Sequence, residues 1–321
     1  MIHLRVVSPP DVTGTVMPML HAEPAVLNVM MLPGAASHPD GDAVHFDVLH
    51  GAADEVIGRL RDLGVHERGS ILLQNVDTSI SALADRVVAR RWRYQAFTPV
   101  WAEVESRIVL GSTYPPSWFA LLVIAGLIGA VGILTNSQIL IVGAMVVGPE
   151  YGAILGLAFG VYNRDYSRVR RSAAALAAGF TLAVACALLM SLLIRWAGLE
   201  PKAYALGIRP VSNLIDTPNW YSVIVALLAG MVGVISLTEA RASTLIGVFI
   251  SVTTIPAASD IGVSLAFGSD SEARGSLFQL LLNVTVLTAV AVVGMPAQRA
   301  LWRRATRRAA NLPPDPQDLR R

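Results

Sequence analysis

The chain has 321 residues, of which 54% are hydrophobic and 15% charged, and its formal net charge is +2. With a mean hydropathy of +0.55 it is too apolar and too poor in charge for an ordinary soluble domain, and it reads as a membrane protein. The one cysteine, Cys186, excludes disulfides within the chain and a cysteine-rich metal site.

The first 76 residues are mixed in polarity and predict strand, helix, strand, strand, helix, strand. Val44, Phe46 and Val48 alternate as a half-buried strand does, and Val56, Ile57, Leu60 and Leu63 share one helical face. The βαββαβ order predicts an α+β ferredoxin-like domain. No basic, apolar, cleavable leader precedes it, so it is expected in the cytoplasm. All six histidines lie here, near Asp40, Asp42 and Asp47, but none has the spacing of a metal motif, and exposed histidines are the stronger reading. Residues 77–116 predict an amphipathic helical connector. In it Arg86, Arg90, Arg91 and Arg93 interleave with Trp92, Tyr94, Phe97 and Trp101, a composition that suits an anionic membrane surface.

Six apolar runs then reach the length a bilayer demands, at about 117–135, 138–162, 172–197, 219–238, 242–267 and 276–296. Arg164, Arg168, Arg170 and Arg171 follow the second run, and Arg299, Arg303, Arg304, Arg307 and Arg308 follow the sixth. The positive-inside rule places both clusters, and with six spans both termini, in the cytoplasm. Because both clusters abut spans, a nucleic-acid partner is not expected. Residues 198–218 become an external loop, and 297–321 a basic cytoplasmic tail ending in Pro313, Pro314 and Pro316.

The spans repeat. Ser117-Trp118-Phe119, Gly129, Gly132, Gly143, Pro149 and Leu157-Ala158-Phe159-Gly160 are answered by Asn219-Trp220-Tyr221, Gly230, Gly233, Gly247, Pro256 and Leu265-Ala266-Phe267-Gly268. The offset drifts from about 101 to about 108 residues, as a duplication with small insertions would. Residues 117–197 and 219–296 each hold three spans, and an odd number makes the copies inverted, with a Pro-broken helix at matching places near the midplane. The alternative is a duplicated scaffold whose prolines only kink helices.

Polar groups gather at the breaks. Glu150 follows Pro149, and Asp260 lies one turn after Pro256. A charge at mid-bilayer costs about 2.5–3.5 kcal/mol, so each acid needs compensation. Gly148 lets the first break unwind, while Ser251, Thr253 and Thr254 can satisfy backbone groups freed by Pro256. Both acids are expected to face a polar cavity between the halves; an ion pair at an interface is the alternative for each. Gly148, Gly152, Gly156 and Gly160 recur every fourth residue and clear the opposite face for close packing. Asn136, in the turn after the first run, and Asn283, inside the sixth, add to the pathway. Arg209, Glu239 and Arg241 are gate or structural candidates. No cofactor and no metal site is expected.

Gly132-Ile133-Leu134-Thr135-Asn136-Ser137, Gly143-Ala144-Met145, Pro149, Arg209-Pro210, Gly247 to Pro256 and Asn283 together resemble domain-of-unknown-function family 389, over about residues 118–295. The resemblance implies an integral membrane architecture and names no substrate. The chain departs from the family's usual Leu after the first proline, where it has Glu150, and from a Pro-Pro pair, where it has Ile255-Pro256-Ala257. The sequence therefore predicts a homo-oligomeric secondary transporter or channel for a small solute or ion. The alternative is a membrane-anchored sensor or assembly protein acting through its N-terminal domain. A nucleotide loop, zinc motif and nucleophile elbow are all missing, so an enzyme is not expected.

Overall fold

The computed structural model describes residues 1–76, 81, 99–207, 209–237 and 254–310. Ser251, Thr253, Glu239 and Arg241 lie outside the described residues, as do Gly247, the arginine-aromatic run 86–97 and the prolines of the tail. The chain divides into two units, Met1–Ser106 with Arg299–Arg321, and Arg107–Gln298.

The first unit is built on β1 (Ile2–Ser8), α1 (Pro10–His21), β2 (Val26–Ser37), β3 (Asp40–Val48), α2 (His50–Asp62), α3 (Val65–Arg68) and β4 (Ser70–Asn75). These strands form an antiparallel sheet in the order β2-β3-β1-β4. Alternation sets its buried face: Ile2, Leu4 and Val6 of β1 and Val44, Phe46 and Val48 of β3 pack on Val16 and Leu20 of α1 and on Val56, Ile57 and Leu60 of α2. On the other face, His3 Nδ1 lies 2.8 Å from Asp47 Oδ1 and His3 Nε2 lies 3.3 Å from His45 Nδ1. Among the described residues no three His, Cys, Asp or Glu side chains are placed to hold a metal.

The start of α4 (Trp101–Gly111) is held within this unit. The amide of Trp101 donates to Asp54 Oδ1 of α2 at 2.9 Å, so a carboxylate takes up an amide that the helix itself leaves without a partner. Arg299 lies 3.5 Å from Glu105 and over the Trp101 ring. Beside them is a cavity of about 590 Å³, whose lining includes Arg61, Trp101, Glu105, Arg299, Trp302 and Arg303.

The second unit is helical: α5 (Pro116–Leu134), α6 (Gln138–Val147), α7 (Glu150–Tyr162), α8 (Tyr166–Trp196), α9 (Lys202–Ala205), α10 (Pro210–Ile215), α11 (Trp220–Ser236), α12 (Thr254–Ala266) and α13 (Asp270–Ala310). Among the described residues, α5, α8 and α13 are long and apolar enough to cross a membrane, and the bent pair α6–α7 makes a fourth crossing if it is one span. The apolar α11 is shorter, at 17 residues. Large apolar side chains such as Leu182, Leu189, Leu193, Ile224, Leu228 and Phe278 stand exposed on these helices, which suits a lipid surrounding.

The sixth run was expected to end at 296. Instead α13 continues to Ala310 with Pro296 inside it, because the arginine-rich sequence after the apolar stretch consists of good helix formers. The second run is two helices rather than one kinked helix, with 52° between α6 and α7. Proline at position 149 cannot donate to the ladder, and Gly148 adopts an extended backbone ahead of it.

Four helix ends among the described residues of this unit are built alike. The amides of Ser137, Asp165, Leu199 and Ser269 donate to Gly132 O, Gly160 O, Ile194 O and Ser264 O at 2.8, 2.8, 3.0 and 2.9 Å, and each end turns on a left-handed residue, Asn136, Arg164, Gly198 and Gly268.

Candidate functional site

The break between α6 and α7 supplies the first polar centre. Glu150 opens α7, where the helix dipole favours an acid, and is fully buried. Thr254 Oγ1 donates to Glu150 Oε1 at 2.8 Å. Thr254 thus serves the acid. A side chain on Gly148 would collide with Glu150 Oε2 and with Ile255, so glycine here leaves room for the acid as well as for the bend.

Neighbouring helices close this centre. Trp118 Nε1 of α5 donates to Pro149 O at 3.1 Å, and the Tyr151 hydroxyl donates to Gly233 O of α11 at 2.9 Å. Ser259 Oγ lies 3.0 Å from Gly126 O and 2.9 Å from Ile255 O, placing α12 against the glycine face of α5. At Gly129 a side chain would strike Ser259. The glycines at 126 and 129 therefore set how closely the polar face of α12 approaches.

Asp260 forms a second centre on α12, fully buried like Glu150. Its partners are hydroxyls. Ser212 Oγ of α10 donates to Oδ1 at 2.5 Å, Ser276 Oγ of α13 donates to Oδ2 at 2.6 Å, and Ser264 Oγ is 3.4 Å from Oδ2. Ser264 also lies 3.5 Å from Glu272 Oε2, which accepts from Arg209 Nη1 at 2.8 Å. The guanidinium of Arg209 further donates to Ser269 Oγ at 2.7 Å and sits 4.3 Å from the centre of the Tyr204 ring. Arg209 is thus tied into the same network, through an ion pair with Glu272 rather than with Asp260.

The remaining expected residues are placed as follows. Asn136 holds a positive φ in the turn before α6, and the amide of Ser137 closes that turn on Gly132 O at 2.8 Å. Asn283 is buried on α13 and accepts from Gln279 Nε2 at 3.1 Å. Pro256 is buried in the first described turn of α12.

The residues that sequence reasoning passed over are the hydroxyls. Ser212, Ser264 and Ser276 are ordinary letters in a sequence, and Ser212 and Tyr204 fall in the stretch read as an external loop. In the structure Tyr204, Val211 and Ser212 are all buried. The signal available was the pair Arg209-Pro210, which opens the short helix α10.

The sequence comparisons agree with this region. Over residues 145–289 the chain matches the model of the family described as Domain of unknown function (DUF389). It is also similar to an uncharacterized protein of Methanocaldococcus jannaschii, at 21% identity over 173 residues, which cover 54% of this chain and 51% of that one. The chain thus spans about half the length of that relative. No solved structure matches. The stretch that matches the family model, residues 145–289, holds Pro149, Glu150 and the whole Asp260 network.

Proposed function

We propose that the chain conducts or transports a small solute or ion across a prokaryotic inner membrane, along the interface of two inverted three-helix halves. In this reading the six crossings are α5, α6 with α7, α8, α11, the run 242–267 that includes α12, and the apolar part of α13, with both termini in the cytoplasm. The observation that carries the reading is the Thr254–Glu150 hydrogen bond, which ties the buried acid at the α6–α7 break to α12 in the interior of the unit. A polar centre at a broken helix is where transporters place their sites.

Flux tests this reading. The full chain reconstituted into proteoliposomes is expected to move a solute or ion that empty liposomes do not, and Glu150→Gln is expected to reduce that flux at least tenfold. Flux unchanged by Glu150→Gln would remove this centre from the pathway.

The second reading, a membrane-anchored sensor or assembly protein, is favoured by the 590 Å³ cavity of the first unit. The strand order β2-β3-β1-β4 with its two intervening helices supports a ferredoxin-like domain there, a fold that hosts many functions. This reading expects a ligand whose binding is lost when Trp302 and Arg61 are replaced by alanine.

A further inference from the structure

We infer that the cavity of the first unit binds an organic anion of nucleotide size, a planar ring that carries a phosphate group. This assignment gives a ligand class to the sensor reading of the same cavity and rests on that reading.

Three helices wall the cavity, each with one face. Along α2 the lining runs through His50, Asp54, Gly58 and Arg61, one at every third or fourth position. On α4 it includes Trp101 and Glu105, and on α13 Arg299, Trp302 and Arg303. The volume of about 590 Å³ lies within the range of about 300–1,000 Å³ that pockets for small organic ligands occupy. A lone inorganic anion would leave most of that space unfilled.

The charges on the wall decide the sign of the ligand. Each acid there already has a donor: Asp54 accepts from the amide of Trp101 at 2.9 Å, Glu55 pairs with Arg59, which is not part of the lining, and Glu105 lies 3.5 Å from Arg299. Arg61 and Arg303 are exposed and form no ion pair with any described residue. Arg299 Nε is buried and has no acceptor among the described residues. The wall thus has guanidinium donors to spare but no carboxylate without a donor. A phosphate monoester, with a charge of about −1.5 to −2 and three acceptor oxygens, matches two guanidiniums, whose planar forks take phosphate in bidentate pairs.

Gly58 points to the ring. Glycine inside a helix is less favourable than alanine, yet a Cβ built at Gly58 meets nothing within 4 Å. No neighbour in the fold therefore requires this glycine, and a methyl group there would project into open space. Its bare backbone lies in the cavity wall between Asp54 and Arg61, where it leaves a flat floor that a ring can approach closely. The half-buried indole of Trp302 lines the same cavity and offers an aromatic surface. Trp101 is less available, because the guanidinium of Arg299 already stands 5.6 Å from the centre of its ring.

The test is titration calorimetry of the full-length protein in detergent with the four ribonucleoside monophosphates, and with adenosine and inorganic phosphate as probes of the two parts. At least one nucleotide is expected to bind saturably, with adenosine and phosphate each weaker by roughly tenfold or more. Arg61→Gln and Arg303→Gln should each weaken the nucleotide roughly tenfold, as loss of a charge-assisted hydrogen bond does. Gly58→Ala should weaken it by a similar factor while leaving the melting midpoint of the ligand-free protein unchanged or higher. Nucleotide binding that survives all three substitutions, or phosphate bound as tightly as any nucleotide, overturns the proposal. Absence of nucleotide binding overturns it too, and a panel of uncharged and cationic metabolites then separates it from the sensor reading. A ligand from that panel whose binding is lost in Trp302→Ala would keep the cavity a sensor, whereas silence of both panels would remove the sensor reading as well.

Discussion

Glu150 and Thr254, separated by 104 positions in sequence, meet through a 2.8 Å hydrogen bond in the interior of the helical unit. The acid is fully buried, and the hydroxyl gives one of its oxygens a donor where water does not reach. Thr254→Val keeps the shape and removes the donor, so it is expected to destabilise the protein by about 1–3 kcal/mol. In Glu150→Gln the amide still accepts from Thr254, and the loss should be smaller. The double variant is expected to show a coupling of about 0.5–3 kcal/mol, measured by thermal unfolding of all four proteins in one detergent. Strict additivity would mean that the two side chains do not interact.

Glycines in this unit divide into those that neighbours require and those that they do not. A Cβ at Gly262 would lie 2.8 Å from Ala187 Cβ, from Leu188 N and from Val184 O, so part of the obstacle is the backbone of α8. Gly262→Ala is expected to cost about 1–3 kcal/mol through overpacking. At Gly143, in the middle of α6, nothing lies within 4 Å of a built Cβ. Gly143→Ala should therefore be neutral or stabilising by up to about 1 kcal/mol from helix propensity. Comparison of the two melting midpoints checks both, and equal destabilisation would contradict the packing of α12 on α8.

Trp118 was conspicuous in the sequence only because it opens the first copy of the repeat. Its indole donates to Pro149 O at 3.1 Å, fixing a carbonyl at the break against α5. Trp118→Phe retains the ring and removes the donor, with an expected loss of about 1 kcal/mol. Hydrogen exchange of residues 144–152 should rise in this variant more than exchange within α8. An unchanged pattern would mean that the indole contributes packing alone.

Local rules made part of this architecture legible. Alternation located the strands of the first unit, since side chains on a sheet change face at every residue, and the pairing of proline with glycine at 148–149 located the break. The acids could be singled out because carboxylates are rare in apolar runs. Their partners could not, because Ser212, Ser264, Ser276 and Thr254 are common residues made specific by being brought together from distant parts of the chain.

Asp54 supplies a prediction for the first unit that depends on pH. Its carboxylate accepts from the amide of Trp101 at 2.9 Å, yet burial pushes its pKa above the usual carboxylate value, with the amides of Trp101 and Ala102 and the charge of Arg299 opposing that shift. A carboxyl whose folded pKa is raised binds its proton more readily in the folded state than in the unfolded one. Its charged form therefore weighs against folding at neutral pH, and that penalty fades as pH falls through the raised pKa. Asp54→Asn can still accept from Trp101 and carries no charge to bury. The variant is expected to protect α2 better than the wild type at pH 7, with the advantage shrinking as pH falls toward the ordinary carboxylate range. Hydrogen exchange over residues 50–62 at matched intrinsic rates measures the difference. A variant less protected than the wild type at pH 7 would mean that the charge-assisted bond to the start of α4 outweighs the desolvation of Asp54.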